Sequence, residues 1–263
     1  MLPRDALLKG CPEPEGLSTL IELAEEALRT WEPIWSGFLD ARLRELAEER
    51  LGALAELQLD SDGGWPQAER RRLLLRRQEL VDSAAEPSPG APLCGLVISG
   101  NFLFDPAEPG DVQQGLLAAG ANAAQLGDIW MRGDRGAQAV ISSEGAERWQ
   151  NATAQVRSVP VQLELVPLEQ LQWPAGRAPR QLSSVEASLR LDAVASAGLG
   201  LSRSRMAELI RAGAVRVNWQ VVSSPSRELA VGDRVRLDGR GELEILEIQP
   251  TKRERWRLVM QRR

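Results

Sequence analysis

The sequence predicts an α+β protein in three parts: a helical N-terminal region, a middle domain of β-α-β-β-α-β order, and a C-terminal unit of two short helices laid against an antiparallel sheet. Three observations carry this expectation. Leu17, Leu20, Ile21, Ala24, Leu28 and Trp31 recur at helical spacing. Between residues 93 and 166, short apolar strands alternate with two helix-like segments. Between residues 182 and 241, two glycine-punctuated helical patterns precede alternating Val215-Arg216-Val217-Asn218 and a Gly232-Asp233 turn.

Taken in order, the first helix face runs from Leu17 to Trp31 and is stopped by Pro33. Leu43, Leu46, Ala47, Leu51 and Leu54 mark a second helix, with Asp40 as its N-cap. Leu57-Gln58-Leu59 is extended and leads through a turn at residues 60–64 into Gly63-Gly64-Trp65-Pro66-Gln67-Ala68-Glu69-Arg70-Arg71-Arg72. That segment has two readings. In one, Trp65 stacks on a base and Arg70, Arg71 and Arg72 hold phosphate, a second RNA contact. In the other, Gly-Gly is a turn, Trp65 is core and the arginines coat a helix. Residues 1–81 are thus expected as a mainly helical domain, and the Pro/Ser/Gly-rich stretch 82–92 as a linker.

The middle domain is expected over residues 93–166. Residues 93–104 read as a first strand carrying Phe102 and Phe104. Asp111 caps a helix with Val112, Leu116, Ala119 and Ala123 on one face, and residues 128–131 and 138–141 pair around a turn at 132–136. Ser143 and Glu144 open a helix through Trp149, and residues 159–166 form a last strand broken by Pro160. The order is the ferredoxin-like split arrangement, also used by RNA-recognition domains but shared by many functions. Such domains stack bases on aromatics of two central strands, and the third strand here offers none. Residues 167–181 read as a second linker. The C-terminal unit then occupies 182–248, with a basic closing strand over 249–263.

Composition narrows the function. The 263 residues contain no histidine, which removes the usual general base, the usual zinc ligand and the Ser-His and Cys-His nucleophile pairs. Cys11 and Cys94 fit neither a disulfide framework nor metal-ligand spacing, and the only lysines are Lys9 and Lys252. No catalytic residue, metal or cofactor is expected. No run approaches 18 apolar residues and the N-terminus lacks an apolar signal core, the pattern of a cytoplasmic protein that does not enter a membrane. The net charge of −5 divides unevenly: residues 180–263 carry +6 and residues 1–179 carry −11. A basic end on an acidic body fits a monomer of which one end meets nucleic acid, leaving the acidic half for a protein partner.

The basic end is rimmed by Arg190, Arg203, Arg205, Arg211, Arg216, Arg227, Arg234, Arg236 and Arg240. Guanidinium groups fork onto phosphate oxygens and stack on bases, which suits structured RNA; the plainer reading is a solvated arginine-rich face.

The ordered set Arg190-Leu191-Asp192, Ser202-Arg203-Ser204-Arg205, Ile210 to Gly213, Val215-Arg216-Val217-Asn218 and Val231-Gly232-Asp233 resembles the S-four type, or alpha-L, RNA-binding domain. Trp219 replaces the small residue most such modules carry after the Val-Asn pair, and GGWPQAER resembles a signature of the YlmH-like family. Gly115-Leu116-Leu117 and Gln125 to Ile129 are similar to the family's middle stretch, without its basic triplet. The Trp-, Arg- and Pro-rich character is similar to the cyanobacterial and plastid branch, the photosystem II S-four domain proteins. The resemblance implies a non-catalytic protein that binds ribosomal RNA, and transfer RNA besides, on the large ribosomal subunit in quality control or assembly. The implied contacts are Arg190, Ser202, Arg203, Ser204, Arg205, Arg211, Arg216, Asn218, Trp219, Gln220 and Arg227. An RNA-modifying enzyme using the module for targeting, and a protein-interaction adaptor, are the alternatives.

Overall fold

The computed structural model describes residues 2–79, 90–174, 180–237, 240–252 and 255–262. The expected linker at 82–92 lies mostly outside them. The chain divides into two units, Met1–Pro174 and Ala175–Arg263, so the N-terminal and middle segments share one unit. Among the described residues no helix is long and apolar enough to cross a membrane.

The first unit opens with α1 (Arg4–Leu8) and α2 (Pro14–Thr30). The latter buries the predicted face of Leu17, Leu20, Ile21 and Ala24. Trp31 falls outside that face: it caps the helix at φ +62° and is 53% exposed, with the Arg77 guanidinium 3.9 Å over its ring. A short β1 (Ile34–Trp35) precedes α3 (Ala41–Leu51), whose N-cap is Asp40, its side chain accepting from the Leu43 N–H at 2.8 Å. The region is not helical alone. Strands β2 (Leu57–Asp62) and β3 (Arg72–Arg77) join β1 in an antiparallel sheet of order β1-β3-β2. Leu73, Leu74 and Leu75 are fully buried, because β3 is a central strand covered on both faces. Each such leucine contributes about 1.5–3 kcal/mol.

The middle segment forms β4 (Leu93–Ser99), α4 (Pro109–Ala118), β5 (Leu126–Met131), β6 (Gly136–Ser142), β7 (Thr153–Val156) and β8 (Val159–Val166). The sheet order is β5-β6-β4-β8-β7. The ferredoxin-like order is present with two changes. The second helix is one 3-10 turn, Ala146–Trp149, and β7 is added as an edge. Pro160 does not break β8: it sits opposite Gln155, beyond the stretch Gln162–Val166 that pairs with β4. Asp111 caps α4 from inside its first turn, accepting from the Glu108 N–H at 2.9 Å.

Leu96, Ile98, Ala139 and Leu163 face α4. The opposite face of this sheet is also covered, by Phe38, by Gly64-Trp65 and by residues 168–173. Gln138 accepts from the Gln172 N–H at 2.9 Å, and Gly95 leaves room for Leu171, which an added Cβ would meet at 2.8 Å. Phe102 and Phe104 leave the strand: Phe102 is buried, and Phe104, in the following loop, is 91% exposed. The base-stacking sheet of an RNA-recognition domain is therefore closed here.

The second unit begins with β9 (Arg180–Glu186), which the sequence reading placed partly in the linker. Next come α5 (Leu191–Leu199), α6 (Arg203–Arg211), β10 (Val215–Val217), β11 (Gln220–Val221), β12 (Arg234–Leu237), β13 (Gly241–Pro250) and β14 (Trp256–Arg262). The antiparallel order is β11-β10-β12-β13-β14-β9. Leu191, Val194, Met206 and Ile210 of the two helices pack on Val215, Val217, Val235, Leu243, Ile245, Leu258 and Met260. Gly198 permits this closeness, since a Cβ there would lie 2.3 Å from the Leu243 side chain.

Candidate nucleic-acid interface

The second unit presents its cations where α5 meets α6. Arg190 precedes α5, and Ser202 caps α6 by accepting from the Arg205 N–H at 3.3 Å. Between them Asp192, 8% exposed at its side chain, takes a two-point bond from Arg190 (3.0 and 3.1 Å) and a further one from Arg203 (3.3 Å). Burial alone raises a carboxyl pKa. Here the hydrogen bonds and charges of the two arginines outweigh it, and Asp192 is held below the usual carboxylate range. It stays ionised and fixes two guanidinium groups that remain 38% and 55% exposed. In the sequence Asp192 stands out only as part of the Arg190-Leu191-Asp192 motif. The signal was present in the paired Arg-Leu-Asp and Ser-Arg, but their convergence needs the helix turn between them.

Along α6, Arg205 pairs with Glu208 at 2.9 Å and both are exposed; Arg211 is exposed in the last turn. Ser204 is exposed and shares a 3.3 Å hydroxyl contact with Ser202. Arg216 lies opposite Arg236 in the β10–β12 ladder, and Gln220 is exposed opposite Val217. Arg227 is half-buried, its carbonyl accepting from the Leu191 N–H at 2.7 Å. Asn218 is as much a structural residue as a contact. Its amide donates to Asp233 Oδ1 (2.7 Å), its Oδ1 accepts from the Arg234 N–H (2.9 Å), and it ties the hairpin to the Gly232-Asp233 turn. The geometry thus brings Arg190, Ser202, Arg203, Ser204 and Arg205 together at the helix junction, while Asn218, Trp219 and Gln220 sit at a hairpin tip.

The segment expected as a second RNA contact faces inward, and that expectation is corrected. Arg72 is 3% exposed; it donates to the Ser36 and Pro92 carbonyls (2.6 and 3.1 Å), to Ser142 Oγ (3.2 Å) and to both Glu144 oxygens (3.1 and 3.0 Å). Arg70 donates to the carbonyls of Leu126 (2.8 Å), Phe38 (3.3 Å) and Ala123 (3.2 Å). Arg71 closes its own loop on Ala68 and Pro66 (3.1 and 2.6 Å). Trp65 stacks on Trp173 with ring centres 5.6 Å apart and planes 14° apart, and leans on Trp130. Its Nε1 donates to Asp128, whose carboxylate also accepts the Glu69 and Arg70 N–H groups at 2.9 Å. These guanidinium donors, buried at Arg72 and half-buried at Arg70 and Arg71, are already committed to acceptors within the unit.

Both cysteines are free and half-buried, and burial pushes the Cys94 thiol up to about 11, leaving it protonated at neutral pH.

With this geometry in view, the comparisons are informative. The family model described as "YlmH, N-terminal" matches residues 13–80, and the model described as "S4 domain" matches residues 189–235. The chain is thus similar to YlmH proteins near its start and to S4 domains towards its end. A Bacillus subtilis (strain 168) protein named "Ribosome-associated protein quality control protein P2" is 28% identical over 226 residues, which is 86% of this chain and 85% of that protein. The solved structure of "Cell division protein ylmH from Streptococcus pneumoniae" aligns at 18% identity and a TM-score of 0.47, covering 62% of this chain and 96% of that one. The S4 match spans the Asp192 cluster, α5, α6 and the hairpin tip. The YlmH match ends beyond β3 and includes Trp65 and Arg70–Arg72.

Proposed function

We propose that this YlmH-like chain is a non-catalytic RNA-binding protein of the ribosome, acting on the large subunit in translation quality control. The observation that carries this reading is the arginine pair Arg190–Arg203, held on buried Asp192 at the start of α6 inside the S4 domain. A fixed pair of half-exposed guanidinium groups, with Arg205 and Arg211 further along the helix, grips adjacent phosphates of structured RNA at low ordering cost. Asn218 and Gln220 lie near the backbone at the hairpin tip. The acidic first unit holds its inward arginines for architecture and adds no phosphate grip at that segment. The name of the Bacillus subtilis relative supports the ribosomal setting.

With about six phosphate contacts, affinity falls with salt at a log–log slope of roughly −4 to −5. The test is sucrose-gradient sedimentation of lysate at low and high salt, comparing wild type with Arg203→Glu/Arg211→Glu. Comigration with the large subunit, lost in salt and in the double variant, is the expected result. Wild type remaining at the top of the low-salt gradient would overturn the ribosomal reading.

A further inference from the structure

The tip of the β10–β11 hairpin is built in an unfavourable way. Val217 pairs with Gln220, so Asn218 and Trp219 form a two-residue turn, and both have positive φ, +48° and +68°. Turns of this kind favour Asn followed by Gly. Asn218 fits, and its amide is locked to Asp233 and Arg234. Trp219 does not: a bulky side chain in the left-handed region is sterically disfavoured, and such strain persists where something else requires it.

The indole itself shows what the strain accomplishes. Trp219 is partly exposed, and the Arg236 guanidinium lies over its ring at 5.9 Å from the centroid. Arg236 sits directly across from Arg216 in the ladder, with Arg234 two residues before it, its side chain on the same face. An aromatic plane is therefore held at the sheet corner, beside Arg216, Arg234 and Arg236, with Glu244 and Glu242 opposite the latter two on β13. A partly exposed indole plane with guanidinium groups beside it suits the π-face of a nucleobase with its phosphate nearby. Stacking reads no base edge, so the selectivity it supplies is for an unpaired nucleotide over a paired one, with little sequence preference.

We propose that Trp219, backed by Arg236, is a stacking platform for an unpaired nucleotide, while the α6 arginines hold the neighbouring RNA backbone. This rests on the RNA-binding reading and names the structural class of RNA the hairpin tip selects.

The test uses the full chain and two fluorescein-labelled RNAs of equal length: a hairpin with a four-adenosine loop and a blunt duplex. Binding is followed by anisotropy at fixed salt. Wild type is expected to prefer the looped RNA. Trp219→Gly is expected to lose that preference, with a weakening of about 5- to 100-fold on the loop alone. Its duplex affinity and melting temperature should hold or rise, because glycine relieves the turn. Trp219→Phe should keep most of the preference. If wild type binds both RNAs equally, or if Trp219→Gly retains the loop preference, the stacking platform is overturned while RNA binding stands. If wild type binds neither RNA, the RNA-binding reading fails and the platform fails with it.

Discussion

Two arginine clusters in this chain share one chemistry and have opposite surroundings. Arg70, Arg71 and Arg72 follow one another beside a glycine turn and a tryptophan. Arg190, Arg203, Arg205 and Arg211 are spread over two helices. The first group is engaged by carbonyls and Glu144; in the second, Arg190 and Arg203 are anchored at Asp192, Arg205 pairs with Glu208, and all four stay partly in water. The difference lies in the supply of acceptors. Around β3, carbonyls at Ser36, Phe38 and Leu126 take arginine donors, the Pro92 carbonyl accepts from Arg72 in addition to the Ser143 N–H, and a planar guanidinium serves several acceptors at once. At the α5–α6 junction a single buried carboxylate is shared, so donors remain for a ligand.

The comparison breaks most visibly at Arg72. Replacing it by Met strips the Ser36 carbonyl and Ser142 Oγ of a buried donor and removes the cation facing Glu144, and we expect a loss of about 3–5 kcal/mol in the first unit, read by urea unfolding. RNA affinity of the folded fraction should be unchanged, whereas a phosphate-binding role for Arg72 would lower affinity first. Asp192→Asn comes next. It frees Arg190 and Arg203 and leaves a half-satisfied buried amide, with an expected cost of about 1–3 kcal/mol to the second unit together with weaker RNA binding. Wild type carries the same signature in its pH dependence. The folded carboxyl lies below its unfolded value, so its stabilisation is complete above about pH 4 and is lost as pH falls further. Asp192→Asn should flatten that acid limb in a pH series of melting temperatures.

A smaller effect sharpens the outward side. Arg211→Gln should reduce the salt slope by about one unit with little change in melting temperature, whereas Arg203→Gln, which also takes one of two cations from Asp192, should lower both. A melting loss without a slope change would make these side chains structural. The smallest effect is expected at Glu144→Gln: the carboxylate is 60% exposed, so its pair with Arg72 is screened and worth under about 1 kcal/mol, despite its downward-shifted pKa. Double-variant cycles with Arg72→Met would measure it.

Much of the fold was legible because local rules agreed with the tertiary outcome. The face Leu17–Ala24, the N-caps Asp40 and Ser202, the 132–136 turn and the alternation Val215-Arg216-Val217 all follow periodicity or capping chemistry over a few residues. The Leu73–Leu75 strand was not legible, since three consecutive leucines buried on both faces carry no period. The cover of Trp65, Leu171 and Trp173 over the β4–β6 sheet escaped for a different reason: its partners lie up to 108 residues apart in sequence. No local pattern records such a pairing.

By itself, then, the sequence determined the long N-terminal helix, the order of the four main strands of the middle segment, the S4-type helices and hairpin, and the charge contrast between the two ends, because each is set by neighbouring residues or by composition. The tertiary structure decided which arginines face water, through the positions of buried acceptors. It also decided which aromatic planes are open: Trp65 and Trp130 are closed in a cluster and Trp219 is held at a strained hairpin tip. A guanidinium or an indole has the same chemistry in either place, and burial with its partners selects its role.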